Sequence, residues 1–203
     1  MFLYDTHMHT SFSSDSNAPA QLMIESAISH GLKGICITDH FDMDFPPLEN
    51  GMDFQLDTPS YLKKIKELQQ LYKDSLDICI GVEMGIMPSL SQKLNAYFDT
   101  YWDCFDYVIS STHLVSYLDP YYPEFQTRYP KKEGIRIYFE TNLSNMKTCS
   151  YFDSFGHLDY VVRYLNLGND TYLPSDYMDY VDAMLHFLID NGKGLELNTA
   201  GFK

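Results

Sequence analysis

Histidines in this sequence are concentrated at the ends of short apolar segments. Five of the seven histidines occupy such positions. His7 and His9 are two residues apart, so on a β-strand both imidazoles would point to the same face. Two imidazoles on one face can chelate a single metal ion. His40, His113 and His157 end three other segments, and together the five side chains predict a metal site.

A carboxylate belongs to the same pattern. Glu83 ends the apolar segment that closes with Gly-Val-Glu, and a carboxylate can bridge two ions. Imidazole combined with carboxylate suits Zn²⁺, Mn²⁺ or Fe²⁺ better than Ca²⁺ or Mg²⁺. The number of candidate ligands exceeds what one ion needs, so the sequence predicts two or more ions. His30 directly follows one predicted helix and His186 lies inside another, and we interpret both as structural.

Short apolar segments alternate with longer amphipathic segments along the chain, which is typical of β-strands followed by α-helices. The predicted strands are Phe2–Met8, Gly34–Thr38, Asp77–Glu83, Tyr107–Thr112, Ser154–Asp159 and Gly194–Leu197. The predicted helices are Ala18–Ser29, Ser60–Tyr72, Ser89–Phe98, Glu133–Met146 and Ser175–Asp190. Asp42–Pro59 and Tyr117–Lys132 are predicted loops and candidate lids over a site.

This alternation predicts a parallel sheet with helices outside it, and therefore an α/β fold. An open doubly wound sheet and a closed (β/α) barrel both fit the pattern. In a barrel, the carboxyl ends of the strands share one rim, where catalytic side chains gather. Such a rim would bring the candidate metal ligands together.

Composition restricts the partners of the chain. The 203 residues carry 14 basic and 28 acidic side chains, a formal net charge of −14. No basic run is present to neutralise phosphates, so we expect no nucleic acid partner. A hydrophobic content of 45% is that of a globular protein, and one domain is the expected number.

The sequence also indicates the cellular compartment of the protein. Every apolar run is far shorter than the roughly 18 residues that a membrane span requires, so no membrane association is expected. The first residues contain no basic leader followed by an apolar segment. The four cysteines are widely spaced without a CxxC motif, which favours free thiols in a reducing cytoplasm.

The chain resembles the polymerase-and-histidinol-phosphatase (PHP) superfamily. The resemblance rests on MFLYDTHMHTSFSSDS, ITDHFD, GVEMGI, SSTHL, GHLDYVVRY and LELNTAG, which occur in this order through the whole chain. Within the superfamily these motifs are most similar to the monofunctional histidinol-phosphate phosphatases. The resemblance implies a distorted (β/α)7 TIM-like barrel, and a hydrolase that converts L-histidinol phosphate to L-histidinol and phosphate in histidine biosynthesis.

The resemblance also implies a trinuclear site of divalent ions. The implied ligand sets are His7, His9 and Glu83 for the first ion, Glu83, His113 and His157 for the second, and Asp15 and His40 for the third. In such sites the ions activate water for attack on phosphorus, and nearby cations stabilise the charged phosphate oxygens.

Few cations are available to bind the phosphate. Arg163 is the best candidate because its fork suits bidentate binding, and Lys203 is a weaker one by similarity to related proteins. Asn198 could line the site, and Asp39 is expected to orient the neighbouring metal-ligand histidine. Asp159 has several open roles: orienting a ligand, binding a cationic substrate amine, or making a hydrogen bond at the barrel end.

The C-terminal part departs from the family pattern. Related proteins continue further and close with a Gly-Ser-Asp-Ala-His-like strand that contributes two metal ligands, whereas this chain has about six strand–helix units and stops at Lys203. We expect residues 1–203 to be a single, C-terminally truncated PHP domain, with a natural short form as the alternative. An open sheet edge would favour a homodimer or another partner strand.

Other functions fit parts of this pattern. A PHP-type phosphoesterase could act on a different small phosphate ester, because metal ligands do not encode the leaving group. A non-catalytic metal-binding module would be compatible with the missing final strand. A nuclease or polymerase-editing role is disfavoured by the acidic charge and by the lack of a polymerase region.

Overall fold

The structure is a computed structural model that describes residues 3–48, 51–165, 167 and 172–199. Lys203, one of the predicted phosphate ligands, lies outside the described residues. The chain divides into two compact units. Unit 1 comprises Met1–Met84 and Ala96–Ile109, and unit 2 comprises Gly85–Asn95 and Ser110–Lys203.

Strands and helices alternate along the described residues, as the sequence predicts. The strands are β1 (Tyr4–Asp5), β2 (Gly34–Ile37), β3 (His40–Asp42), β4 (Asp77–Gly85), β5 (Tyr107–Ser111), β6 (Ser154–Phe155) and β7 (Gly194–Leu195). The helices are α1 (Ala20–Ser29), α2 (Thr58–Tyr72), α3 (Ser91–Tyr101), α4 (Pro123–Arg128), α5 (Lys132–Thr148) and α6 (Met178–Asp190). None of the helices in these described ranges is long and apolar enough to cross a membrane.

The sheet of unit 1 runs in the order β1-β2-β4-β5, with β3 paired to β4. β1 pairs with β2 and β2 with β4 in parallel. All four residues of β2 are buried, as a continuously apolar strand covered on both faces should be. Tyr61 of α2 is fully buried, and its hydroxyl lies 2.7 Å from the Ile37 carbonyl oxygen and 2.8 Å from that of Gly81. These contacts tie α2 to the two central strands.

Gly81 allows the strands to approach each other just before Glu83. A Cβ atom at this position would lie 2.6 Å from the Cys36 sulfur and 2.8 Å from the Tyr107 carbonyl oxygen. Both distances are too short for real side-chain contacts. The glycine therefore lets β4 lie close to its neighbours two residues before Glu83.

Unit 2 contains the end of β5 together with β6 and β7, in that order. β6 and β7 are parallel, and the Gly156 N–H donates to the Ser110 carbonyl oxygen over 2.9 Å. α5 packs against α6 with Phe139 fully inside, and its ring lies 5.5 Å from that of Tyr177. These contacts form the core that positions the residues after β5 and β6.

The pattern of apolar residues in the sequence did not predict two short elements, the strand β3 and the helix α4. β3 has only three residues, too few for an alternating pattern to be recognised, and it begins just before the predicted loop Asp42–Pro59. α4 lies inside the predicted loop Tyr117–Lys132. It starts at Pro123 and has Phe125 as its one buried residue, so it lacks a repeating apolar face.

Candidate metal centre

The first two histidines follow β1 and lie beside the end of β2. Between them, the Met8 N–H donates to the Thr38 hydroxyl at 3.0 Å, and the Thr38 N–H donates to the Met8 carbonyl oxygen at 2.9 Å. These bonds keep the segment extended, so that the two rings reach the same place. The Nε2 atoms of His7 and His9 are 3.2 Å apart.

Glu83 lies at the centre of the cluster in unit 1. Its side chain is completely buried, and its Oε2 atom is 3.1 Å from His7 Nε2 and 3.0 Å from His9 Nε2. The same oxygen is 3.2 Å from His40 Nδ1. A buried carboxylate needs charge compensation. Three imidazole nitrogens converging on one carboxylate oxygen form a set of donors that suits a metal ion.

Asp15 joins the cluster from the loop before α1. Its Oδ2 atom is 3.2 Å from His9 Nδ1 and 3.6 Å from His40 Nε2. Burial raises the pKa of Asp15, but hydrogen bonds to His40 and His9 outweigh burial and hold the pKa well below its usual range. Burial lowers the pKa of His9, but hydrogen bonds to Asp15 and Glu83 outweigh it and raise the pKa overall.

The side chains of unit 1 thus fit the metal site that the sequence predicts. His7, His9 and Glu83 form one group, and His9, Asp15 and His40 form another; within each group the ligand atoms lie within 4.8 Å of one another. Nitrogen and carboxylate oxygen ligands in this combination suit Zn²⁺, Mn²⁺ or Fe²⁺.

Asp39 supports this cluster through the backbone. Its buried carboxylate accepts hydrogen bonds from the Thr10 N–H at 2.6 Å, the Thr10 hydroxyl at 2.8 Å and the Ser13 hydroxyl at 2.8 Å. The Ser13 oxygen in turn accepts from the His40 N–H at 2.8 Å. Asp39 therefore holds the loop after His9 and, through Ser13, the backbone of His40, whereas the sequence led us to expect contact with the imidazole.

The neighbour of the His40 ring is a residue that the sequence reasoning missed. Asp42 is buried, and its Oδ2 atom lies 3.3 Å from His40 Nδ1. The two residues are separated by one position on β3, so they point to the same face of the strand. The same spacing drew attention to the first two histidines, and it could have identified Asp42.

Unit 2 brings the two remaining histidines together. His113 follows β5 and His157 follows β6; both are buried, and their ring centroids are 5.4 Å apart. The ring centroid of Tyr160 lies 5.0 Å from that of His157. The Tyr160 hydroxyl donates a hydrogen bond to Asp119 Oδ1 at 3.2 Å. Burial, reinforced by the negative charge of Asp119, raises the pKa of Tyr160 well above its usual range, so this neighbour remains a phenol.

A row of polar side chains on α5 fastens the backbone beside both histidines. Tyr138 donates to the Thr112 carbonyl oxygen at 2.8 Å, and Asn142 donates to the Leu158 carbonyl oxygen at 3.0 Å. Asn145 donates to the Thr112 hydroxyl at 2.7 Å. Spacings of four and three residues place this row on one face of the helix. We call Tyr138, Asn142 and Asn145 the α5 polar row.

Comparison with known proteins decides the family. A family model described as the PHP domain matches residues 5–200. This chain belongs to the PHP family. The family resemblance and the α/β fold class predicted from the sequence are thereby confirmed.

Two relatives of this PHP chain are similar over nearly its whole length. It is 36% identical to the histidinol-phosphatase of Lactococcus lactis subsp. lactis (strain IL1403), over 98% of this chain and 72% of that protein. It is 34% identical to the probable histidinol-phosphatase of Clostridium acetobutylicum, over 97% of this chain and 73% of the relative.

Solved structures agree with the fold of this PHP chain. The histidinol phosphate phosphatase of Lactococcus lactis, solved in complex with Zn, L-histidinol and phosphate, superposes with a TM-score of 0.89 at 36% identity, covering 97% of this chain and 73% of that one. A putative histidinol phosphatase of Listeria monocytogenes superposes with a TM-score of 0.87, covering 98% and 84%; at 17% identity it supports the fold alone.

The predicted phosphate ligands of the PHP chain are partly assembled. Arg163 ends a 3₁₀ turn, and its Nη2 donates to Asn198 Oδ1 over 3.0 Å. Asp159 is exposed at the start of the same turn, where its carbonyl oxygen accepts from the Val162 N–H. The structure thus brings Arg163 and Asn198 together.

The two histidines outside the motifs have ordinary helical contacts. His30 Nδ1 lies 2.8 Å from the Ser26 carbonyl oxygen, and His186 Nδ1 lies 2.7 Å from that of Asp182. Each ring therefore bonds to the carbonyl oxygen four residues earlier, His30 at the C-terminal end of α1 and His186 inside α6. This agrees with the structural role expected for them.

Proposed function

We propose that this chain is a metal-dependent phosphomonoesterase that hydrolyses L-histidinol phosphate to L-histidinol and phosphate in histidine biosynthesis. The observation that carries the proposal is the convergence of three imidazole nitrogens on the single buried carboxylate of Glu83. Support comes from the 36% identical Lactococcus lactis relative, whose structure contains Zn, L-histidinol and phosphate. The proposed partner of the chain is a small-molecule phosphate ester. We propose no nucleic acid partner and no membrane association.

Two or three divalent ions, Zn²⁺, Mn²⁺ or Fe²⁺, are the proposed cofactors. In unit 1 the proposed ligands are His7, His9, Asp15, His40 and Glu83. In unit 2 the proposed ligands are His113 and His157. Ions held by such ligands act as Lewis acids and lower the pKa of water, which supplies the nucleophile for phosphate ester hydrolysis.

The protein residues bind and orient the ester. Arg163 binds the phosphate with its planar fork, and the side-chain oxygen Oδ1 of Asn198 accepts a hydrogen bond from the guanidinium. Asp39 keeps the loop after His9 in place through its three hydrogen bonds. The exposed carboxylate of Asp159 is the proposed acceptor for the ammonium group of the substrate. Lys203 remains a predicted phosphate ligand.

The remaining proposals concern the setting of the enzyme. Cys36, Cys79, Cys104 and Cys149 form no disulfide bond. Cysteines without disulfide bonds agree with a reducing compartment, and we propose the cytoplasm. We propose that the chain forms a single PHP domain. We also propose that it assembles as a homodimer.

The test is phosphate release from L-histidinol phosphate by the purified chain loaded with Zn²⁺, Mn²⁺ or Fe²⁺. A sugar phosphate and a nucleoside monophosphate serve as competing substrates. We expect L-histidinol phosphate to have the highest kcat/KM. A preference of about tenfold or more for another ester would replace the substrate assignment. Metal binding without hydrolysis of any ester would favour the non-catalytic alternative.

A further inference from the structure

We propose that Glu196 is a positioning residue that orients the Asn198 amide and thereby holds Arg163 ready to bind phosphate. This inference rests on the proposed function, in which Arg163 binds the phosphate of the substrate. Glu196 directly follows β7.

The geometry around Glu196 joins two parts of the site. Its Oε2 atom accepts from the His157 N–H at 2.7 Å, and its Oε1 atom accepts from Asn198 Nδ2 at 3.2 Å. The Glu196 N–H donates to the Phe155 carbonyl oxygen at 3.1 Å, which fixes its backbone just after β7. Both oxygens of one carboxylate are therefore used, each by a different predicted site residue.

The chemistry of the three side chains allows only one direction for the amide. A guanidinium can only donate hydrogen bonds, and an ionised carboxylate can only accept them. Asn198 therefore satisfies both neighbours only when its nitrogen faces Glu196 and its oxygen faces Arg163. Reversing the amide would place donor against donor and acceptor against acceptor. The negative charge of Glu196 thus determines that the amide oxygen of Asn198, and not its nitrogen, faces Arg163.

The same carboxylate anchors the backbone of His157. A predicted metal ligand and a predicted phosphate ligand consequently share one support. Residues that orient ligands in this way typically contribute 10- to 100-fold to affinity or activity. We expect the loss of one acceptor oxygen at Glu196 to disturb Arg163 while leaving the fold intact.

The experiment compares Glu196→Gln with a swap of the two groups, Glu196→Gln combined with Asn198→Asp. In the single variant the new amide has one acceptor for two N–H donors, so the direction of Asn198 is lost. In the swap, the new amide accepts from the His157 N–H and donates to the new carboxylate, which accepts from Arg163. Glu133→Gln, at an exposed position of α5, is the matched control.

Two readouts are measured on Zn²⁺-loaded protein: the Kd for inorganic phosphate by calorimetry, and kcat and KM for L-histidinol phosphate. We expect Glu196→Gln to raise both the Kd and the KM about 10- to 100-fold, with a smaller change in kcat and an unchanged Tm. We expect the swap to recover phosphate affinity to within about fivefold of the parent, as coupled neighbours should. The control should match the parent.

The outcomes separate this inference from the proposed function. Unchanged phosphate affinity in Glu196→Gln, or a swap that binds as weakly as the single variant, would overturn the positioning role. A parent that binds no phosphate would overturn it as well. A parent that binds phosphate but does not hydrolyse L-histidinol phosphate would refute the proposed function, and the phosphate Kd values would still decide the role of Glu196.

Discussion

At the scale of single residues, Glu83 is the carboxylate on which three candidate ligands of unit 1 converge. One of its carboxylate oxygens lies within 3.2 Å of nitrogens from three imidazoles, and the side chain is inaccessible to solvent. An amide in the same place would remove the negative charge. The consequences of that change test the metal site directly.

We expect Glu83→Gln to weaken Zn²⁺ binding by at least about 100-fold, because a neutral amide oxygen is a poorer ligand than a carboxylate and cannot balance the charge of the ion. The measurement is competition with a chelating indicator. Glu67→Gln, at an exposed position of α2, is the control and should bind Zn²⁺ like the parent. Equal affinity in Glu83→Gln and the parent would contradict the proposed site.

Arg163 allows a second test at this scale. We expect Arg163→Lys to raise the KM for L-histidinol phosphate about tenfold, since an ammonium keeps the charge but loses the bidentate fork. Arg136→Lys is the matched control, because Arg136 is exposed and pairs with Glu140 on the surface of α5. A similar KM in both variants would argue against phosphate binding by Arg163.

At the scale of elements, α5 determines the position of both histidines in unit 2. The α5 polar row holds the backbone at Thr112 and Leu158, each one residue from a predicted ligand. Asn145 also donates to the Ile86 carbonyl oxygen at 3.0 Å, so it links α5 to the segment just after β4. The hydrogen bonds of Tyr138 and Asn145 are buried, and their loss leaves polar groups without a partner.

We expect Asn145→Leu to lower the free energy of unfolding by about 1–3 kcal/mol, because it leaves a buried hydroxyl and a buried carbonyl oxygen without their donor. Urea unfolding measures this change. Ser144→Ala, on the exposed face of the same helix, should change the free energy of unfolding by less than about 0.5 kcal/mol. A loss no greater than in Ser144→Ala would show that the row is dispensable for stability.

At the scale of the whole molecule, the net charge of −14 makes bound cations important. The buried carboxylates of unit 1, Asp39, Asp42 and Glu83, lie in or beside the candidate metal site. Positive ions there would offset local repulsion as well as serve the chemistry. We therefore expect metal binding to stabilise the folded state, in addition to any role in activity.

Saturating Zn²⁺ should raise the Tm of the chelator-treated protein, since an ion that binds only the folded state stabilises it by about 2.7 kcal/mol at a concentration 100 times its Kd. Ca²⁺ at the same concentration should have little effect, because imidazole nitrogen is a poor ligand for it. Calorimetry measures both shifts. Equal Tm values with Zn²⁺ and without it would contradict a structural contribution from the metal.

What the sequence determined by itself was the class of fold, and it predicted the residue types of the candidate site. Residue types and two-residue spacing identified His7 and His9, and the alternation of apolar and amphipathic segments predicted the α/β fold. These signals are local, because strand periodicity and ligand type can be recognised within a few neighbouring residues. The family motifs added Asp15, which no periodicity indicates.

Only the tertiary structure decided which residues support the site. The alignment of Asp42 with His40, the α5 polar row, and the contact of Glu196 with both Asn198 and the backbone of His157 all depend on how elements pack. Their partners are up to 59 residues apart along the chain. No local pattern encodes such distances, because a hydrogen bond between remote residues exists only once the helices and strands between them are in place.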